Sequence, residues 1–409
     1  MLINLTVIQE TAMKPLFEKC GKFTLANEVR EKGIYPYFHE LQSRQDTEVI
    51  MEGRRRIMLG SNNYLGLTVN DEIIKAGVDA LNKLGTGCSG SRFLNGTLSM
   101  HVELERELAD FVGKESAVAF STGFQSNLGI ISGICGKNDF IFCDRENHAS
   151  IYDACRLSGA EIKIYRHSNM ELLEKKLASV DIDAGKLIVT DGVFSMGGDI
   201  CRLPEIVELA EKYKAAVMVD DAHGLGVIGN GGRGTADYFG LTDKVDIIMS
   251  TFSKSLASLG GFMAASDFVC DYIRHNSRPF IFSASIPPAS CATALAALRY
   301  IRENPSLVDH LSELSVYMKR ELKSRGVRLI ESPTPIIPLY TTDIMTTLRI
   351  AKELYDRGVY VNPVLPPATP PNECLLRVSL MASHTKELID EAVGIIASTM
   401  KENGLTDDE

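Results

Sequence analysis

The chain has no C-x-x-C pair; its nine cysteines are scattered and odd in number. That spacing argues against a disulfide framework or a zinc site, and no metal site is expected. The thiols are predicted to be reduced and partly buried, as in cytosolic proteins. A run of about 18 apolar residues is also missing, so no membrane-spanning helix is expected. The opening stretch "MLINLTVIQETAMKPLFEKC" lacks a basic segment followed by an apolar core, and no signal peptide is predicted. These absences together predict a cytoplasmic protein and leave a peripheral membrane contact open. Positive charge is scarce: 43 basic residues face 53 acidic ones, a formal net charge of −10. Nucleic-acid partners are therefore not expected. The one dense basic run, "GRRRI" at 53–57, reads as a solvated turn. Internal repeats and low-complexity segments are lacking too.

What is present is an ordinary globular composition, 45% hydrophobic and 23% charged over 409 residues. That length suits two or three domains around a large core. From about 115 to 265, six short apolar runs read as strands: "SAVAFST", "DFIFCD", "AEIKIYRH", "KLIVTDG", "AAVMVDDAH" and "VDIIMST". Between the fourth and fifth, "LPEIVELAEKYK" sets Ile206, Leu209, Ala210 and Tyr213 at helical spacing, one apolar face for a sheet. Strands alternating with helices predict an α/β fold with a mostly parallel sheet. The stretch "LANEVREKGIYPYF" reads as helical, and after about 290 long helices and shorter strands suggest a smaller α+β domain. The expected divisions are an N-terminal arm (1–57), a large domain (58–292) and a C-terminal domain (293–409).

In a parallel sheet, ligands bind beyond the carboxyl ends of the strands. Three such loops carry notable groups. "GFQSNLG" opens a helix after the first run, where free N–H groups suit an anion. Asp220, Asp221 and His223 follow the fifth run. Lys254 follows the sixth, among the hydroxyls of Ser250, Thr251, Ser253 and Ser255. Singly, each has an ordinary explanation: a surface lysine, a turn-capping aspartate, a plain helix start. Jointly they suit pyridoxal 5'-phosphate (PLP), which needs an amine for a Schiff base. It also needs a carboxylate at its ring nitrogen, and amides and hydroxyls around its phosphate.

The ordered motifs "SNNYLGL", "STGFQSNLG", "DRENHASIYD", "DDAHGLGVIG" and "TFSKSLASLGGF" resemble those of the α-oxoamine synthases. These are PLP-dependent transferases of the aspartate aminotransferase-like fold type I, and the resemblance runs from about residue 30 to 400. The family joins an amino acid to an acyl-CoA thioester with loss of carbon dioxide and CoA. The resemblance makes Lys254 the Schiff-base lysine, Asp220 the partner of the pyridine nitrogen and His223 that of the ring hydroxyl. His148 matches the imidazole stacked on the ring. Gly123 and Phe124 match phosphate-loop positions, with Phe124 standing where relatives often have Tyr. Thr251 and Ser253 match phosphate-binding hydroxyls. Ser283 matches a residue that reaches the phosphate from a second subunit, implying a homodimer with shared active sites. Asn63 matches a substrate-binding residue, and Arg377 the arginine that grips the amino-acid carboxylate through two parallel hydrogen bonds.

Two segments, "RPFIFSASIPPA" and "YVNPVLPPATPPNECLLRVSLMASHT", resemble the branch that joins L-serine to a long-chain acyl-CoA such as palmitoyl-CoA. Some relatives carry an arginine just before "PPATP"; this chain has Leu365, which leaves Arg377 as the expected anchor. The alternatives are the glycine- or alanine-using branches (glycine C-acetyltransferase, 8-amino-7-oxononanoate synthase) and a cysteate-using one. From another class comes a non-catalytic regulatory subunit, which is expected to lack the lysine that this chain keeps at 254.

Overall fold

A computed structural model describes residues 14–366, 368–369 and 372–407. Residues 1–13 of the opening stretch, and Pro367, Pro370 and Pro371 in and beside "PPATP", lie outside the described residues. Near the N-terminus, β1 (Glu48–Met51) and β2 (Arg54–Met58) form an antiparallel hairpin. Its turn residues Glu52 and Gly53 take positive φ of 49° and 73°, as a tight hairpin requires. The arginine run is therefore strand, not the solvated turn its charge suggested. Arg55 pairs with Glu48 and Glu391, and Arg56 lies buried with its guanidinium 4.3 Å from the Tyr355 ring centre. Partners elsewhere in the chain, Glu391 for Arg55 and the Tyr355 ring for Arg56, accommodate charges that made the run look like a turn.

Seven strands build the central sheet: β3 (Ser116–Phe120), β4 (Asp139–Asp144), β5 (Glu161–Tyr165), β6 (Gly185–Asp191), β7 (Ala216–Asp220), β8 (Ile247–Thr251) and β9 (Gly261–Ala265). Their order is β3-β9-β8-β7-β6-β4-β5. All six runs read from sequence are strands, and β5-β4-β6-β7-β8 pair in parallel. The seventh, β9, was not anticipated and runs antiparallel to both β3 and β8. Residues of β7 to β9 are buried almost throughout, as in sheets covered on both faces. The helix Leu203–Tyr213 buries Leu203, Ile206, Val207 and Ala210, each worth roughly 1–3 kcal/mol by its apolar size, while Leu209 and Tyr213 are partly buried at the same core. The expected N-terminal helix is confined to Leu25–Glu31.

Toward the C-terminus, β10 (Ile336–Tyr340), β11 (Val359–Tyr360), β12 (Asn362–Val364) and β13 (Leu375–Ser379) alternate with helices Ile344–Asp356 and Lys386–Glu402. Strands β10, β13 and β12 make an antiparallel sheet, while β11 pairs in parallel with β2. The 57/58 position falls inside β2, and 292/293 falls inside the helix Pro288–Glu303, which packs on helices Asp71–Leu84 and Ser99–Val112. Neither position is a break in the secondary structure. Two backbone bonds then lay the Leu59–Tyr64 segment along the end of β13: Ser379 N–H donates to the Leu59 carbonyl (2.7 Å) and Ala382 N–H to the Tyr64 carbonyl (2.7 Å).

Candidate active site

The carboxyl ends of β3, β4, β6, β7 and β8 open on one cavity of about 230 Å³. After β3, Thr122 caps the helix Gly123–Ile134, its hydroxyl accepting from Gln125 N–H, so the first turn faces the cavity with unpaired amides. A Cβ on Gly123 would lie 2.8 Å from the Thr251 side chain, so only glycine permits this approach of helix to strand end. Phe124 lines the mouth and is 44% exposed. After β8, the Thr251 hydroxyl bonds Ser253 Oγ (3.0 Å) and the Gly260 carbonyl (3.0 Å).

The polar floor is one connected network. Asn127, from the first of these helices, donates from its amide nitrogen to Asp220 Oδ2 (2.7 Å) and to Ser150 Oγ (2.8 Å). Ser150 in turn contacts His148 Nδ1 (2.7 Å), and His148 N-caps the helix Ala149–Ser158. Asp220 also accepts Ala222 N–H at 3.1 Å. Its neighbour Asp221 points away from the cavity, accepting from Thr235 N–H (2.7 Å) and Oγ1 (2.6 Å). Alternation along β7 separates the two carboxylates onto different tasks.

Burial pulls the Lys254 amine down to about 8, against the pull of Asp220 and Asp191 in the other direction. A sizeable neutral fraction at neutral pH follows, which is what a nucleophilic or basic amine needs. Burial also lowers both imidazoles, His223 strongly so, with Lys254 and Arg377 reinforcing the effect there. Neutral His223 has a fixed tautomer. Arg377 Nη2 can only donate to Tyr64 Oη (3.0 Å), so the tyrosine spends its proton on His223 Nδ1 (2.7 Å). The His223 proton therefore sits on Nε2, as a donor at the cavity wall.

Arg377, buried in β13, donates from Nε to the Ser195 carbonyl (2.5 Å), from Nη1 to Ser379 Oγ (2.7 Å) and from Nη2 to Asn62 Oδ1 (3.0 Å). With Tyr64, four of its five donors already have protein partners. Asn63 turns elsewhere: its amide nitrogen donates to Thr68 Oγ1 (2.7 Å), and its oxygen is buried without a partner. Asn62, Tyr64, Asn127 and Asp191 are the site groups that sequence reading passed over. Asp191 ends β6 in the same way that Asp220 ends β7, and that pattern was the available signal. It is buried, lines the cavity and accepts His148 N–H at 3.3 Å. Burial and Asp220 hold its carboxyl well above the usual range. Ser283 lies outside this chain's own cavity wall and accepts from Gln125 Nε2 (3.0 Å), while Leu365 is half-buried.

The donor set fits PLP: an amine and a carboxylate share a cavity whose rim carries free helix amides, two hydroxyls and a glycine cradle. Among the described residues no cluster of His, Cys, Asp and Glu suits a metal ion, and no helix is long and apolar enough to cross a membrane.

The chain matches the family described as aminotransferase class I and II over residues 54–396. It is 52% identical over 387 residues to serine palmitoyltransferase of Sphingobacterium spiritivorum, covering 95% of this chain and 97% of that protein. An 8-amino-7-oxononanoate synthase of Lysinibacillus sphaericus is 40% identical, over 92% of this chain and 97% of its own length. A solved structure of SPT with PLP as internal aldimine superposes with a TM-score of 0.93 at 36% identity, covering 96% of this chain and all of that one. The chain belongs to the aminotransferase class I and II family, with the PLP-dependent transferase fold type I, and within it to the α-oxoamine synthases.

Proposed function

We propose that the protein is a PLP-dependent acyltransferase that joins L-serine to palmitoyl-CoA, releasing CoA and carbon dioxide to give 3-ketosphinganine. The observation that carries this reading is the convergence of Lys254, Asp220, His148 and His223 on one cavity, in a chain whose kinship with serine palmitoyltransferase spans nearly its whole length. PLP supplies an aldehyde that condenses with amines and a ring that accepts the electron pair left on the substrate's α-carbon. Lys254 would hold the cofactor through its amine, which would also take the substrate's α-proton. Asp220, held by Asn127, keeps a proton on the ring nitrogen. His223 would donate from Nε2 to the cofactor's phenolic oxygen, and His148 would lie against its ring. The amides of Gly123 and Phe124, with Thr251 and Ser253, hold the phosphate. Arg377 anchors the serine carboxylate with the one N–H it has left, beside the uncommitted amide nitrogen of Asn62.

We infer a cytoplasmic homodimer in which Ser283 reaches the partner's phosphate site. Asn63 acts at one remove, by fixing the turn that presents Asn62 and Tyr64. Product analysis by mass spectrometry tests the reading, with L-serine, glycine, alanine and cysteate each offered against acetyl- and palmitoyl-CoA. 3-Ketosphinganine as the dominant product is expected. A glycine–acetyl-CoA product outpacing it would place the chain in another branch.

A further inference from the structure

Beside the site, and outside it, lies a compact cluster of titratable groups. His167 follows β5 and is wedged between Asp144 at the end of β4 and Asp199. Its Nδ1 is 3.0 Å from Asp144 Oδ1 and its Nε2 is 3.0 Å from Asp199 Oδ2, with Glu146 Oε2 at 3.8 Å. Asp144 is 1% exposed and accepts two further backbone donors, Glu146 N–H and Ser168 N–H. With a carboxyl oxygen 3.0 Å from each ring nitrogen, both nitrogens are placed to donate. Burial opposes a charge on the ring, yet the hydrogen bonds to Asp144 and Asp199 lift the imidazole to about 10.

Asp199 closes a hairpin at residues 193–200. The Val193–Ile200 bridge, Phe194 N–H to the Asp199 carbonyl (2.9 Å) and Gly198 N–H to the Phe194 carbonyl (2.8 Å) define it. The Phe194 ring stands edge-on to His167 with centres 4.4 Å apart. On its far side, the Gly198 carbonyl accepts from Ser332 Oγ (2.9 Å) and Thr334 Oγ1 (2.8 Å). The hairpin's tip carries the Ser195 carbonyl that receives Arg377 Nε.

We propose that His167 is a positioning residue for the amino-acid substrate, locking the 193–200 hairpin so that the Ser195 carbonyl holds the Arg377 guanidinium in carboxylate-binding orientation. This rests on the reading of Arg377 as the carboxylate anchor. His167 itself touches no part of the cavity wall. Its effect travels through two fixed contacts, one at Asp199 and one at Ser195.

Two variants test it on the holoenzyme. His167→Gln keeps one donor and loses the charge; Asp199→Ala removes only the hairpin-side acceptor, leaving the Asp199 backbone bond intact. Serine affinity is read from the cofactor's absorbance, and the Michaelis constant for palmitoyl-CoA is measured alongside it. Exchange of the Arg377 Nε proton, followed by nitrogen-15 NMR, needs no turnover. The expected result is about tenfold weaker serine binding in either variant, the size of one lost charged hydrogen bond. The palmitoyl-CoA constant should hold, and the Arg377 Nε proton should exchange faster. Unchanged serine binding, or serine and palmitoyl-CoA constants rising in step, overturns the proposal. Arg377→Ala separates the causes of such a failure. If it alone weakens serine, the clamp is wrong; if it too leaves serine unchanged, the anchor reading has failed. Should His167→Gln not fold, Asp199→Ala decides by the same criteria.

Discussion

The two halves of the site are assembled in opposite ways: Arg377, Asn62, Tyr64 and Ser195 do not line the lysine cavity and join it through the Tyr64–His223 hydrogen bond. The half facing Lys254 draws Thr122, His148, Asp191, Asp220, His223 and Lys254 from the ends of β3, β4, β6, β7 and β8, each no more than four residues past its strand. The half around Arg377 gathers partners 182 and 315 residues away, Ser195 and Asn62. In the first, the parallel strands guarantee convergence, because their carboxyl ends share one edge. In the second, convergence depends on β13 being laid against the Leu59–Tyr64 segment by the backbone bonds at Ser379 and Ala382. A group in the first half is located by its own strand; a group in the second is located by another part of the chain.

The sharpest way to test the first half is Lys254→Ala. Loss of a positioned base should cut α-proton exchange by about 10²–10⁴-fold. PLP should stay bound without a covalent link, visible as a shifted absorbance. Borohydride reduction of the parent followed by peptide mapping should mark Lys254, and a label on another lysine would refute the assignment.

Asp220→Asn and Asp221→Asn probe the strand alternation next. Asp220→Asn should slow turnover about a hundredfold, as when one preorganised electrostatic partner is removed. Asp221→Asn should act on stability instead. Burial lifts the Asp221 carboxyl from 3.8 to about 7, so its contribution to stability is fully present below the unfolded value and lost as pH rises through about 7. Melting curves at several pH values should show that window flatten in Asp221→Asn. Equal turnover losses in the two variants contradict the division of labour.

Arg377→Ala addresses the second half. It should weaken serine binding roughly thirtyfold, on the order of 2 kcal/mol, and leave the serine-free cofactor spectrum nearly unchanged. The smallest expected effect comes from Tyr64→Phe, which joins the halves. Removing one hydroxyl should cost serine affinity about fivefold. Nitrogen-15 shifts should show the His223 proton no longer confined to Nε2. A Tyr64→Phe variant with the parent's tautomer and affinity would mean the halves are uncoupled.

The same contrast explains what was legible beforehand. Five of the six runs were readable because mostly buried strands are largely apolar; β5, at the sheet edge, is only partly so. Strand β9 was missed because "GFMAA" follows directly on the lysine loop, with no helix to set it apart. The helices Asp71–Leu84 and Ser99–Val112 were not read either. At the site, Lys254, Asp220, His223 and Gly123 announced themselves by position, while the resemblance pointed to Asn63 where Asn62 is the residue that meets Arg377. Adjacent amides in a turn diverge according to their neighbours: Thr68 and Gln45 take one, Arg377 the other.

By itself the sequence determined the α/β class, the sheet's parallel core and the strand-end groups, because apolar periodicity and the punctuation that follows it are local properties. Only the tertiary structure decided which asparagine meets Arg377 and that Asp221 turns to Thr235. It also set His167 between Asp144 and Asp199. Those outcomes turn on hydrogen-bond partners brought together from distant parts of the chain. A donor's task is settled by the acceptor opposite it, and no local pattern names that acceptor.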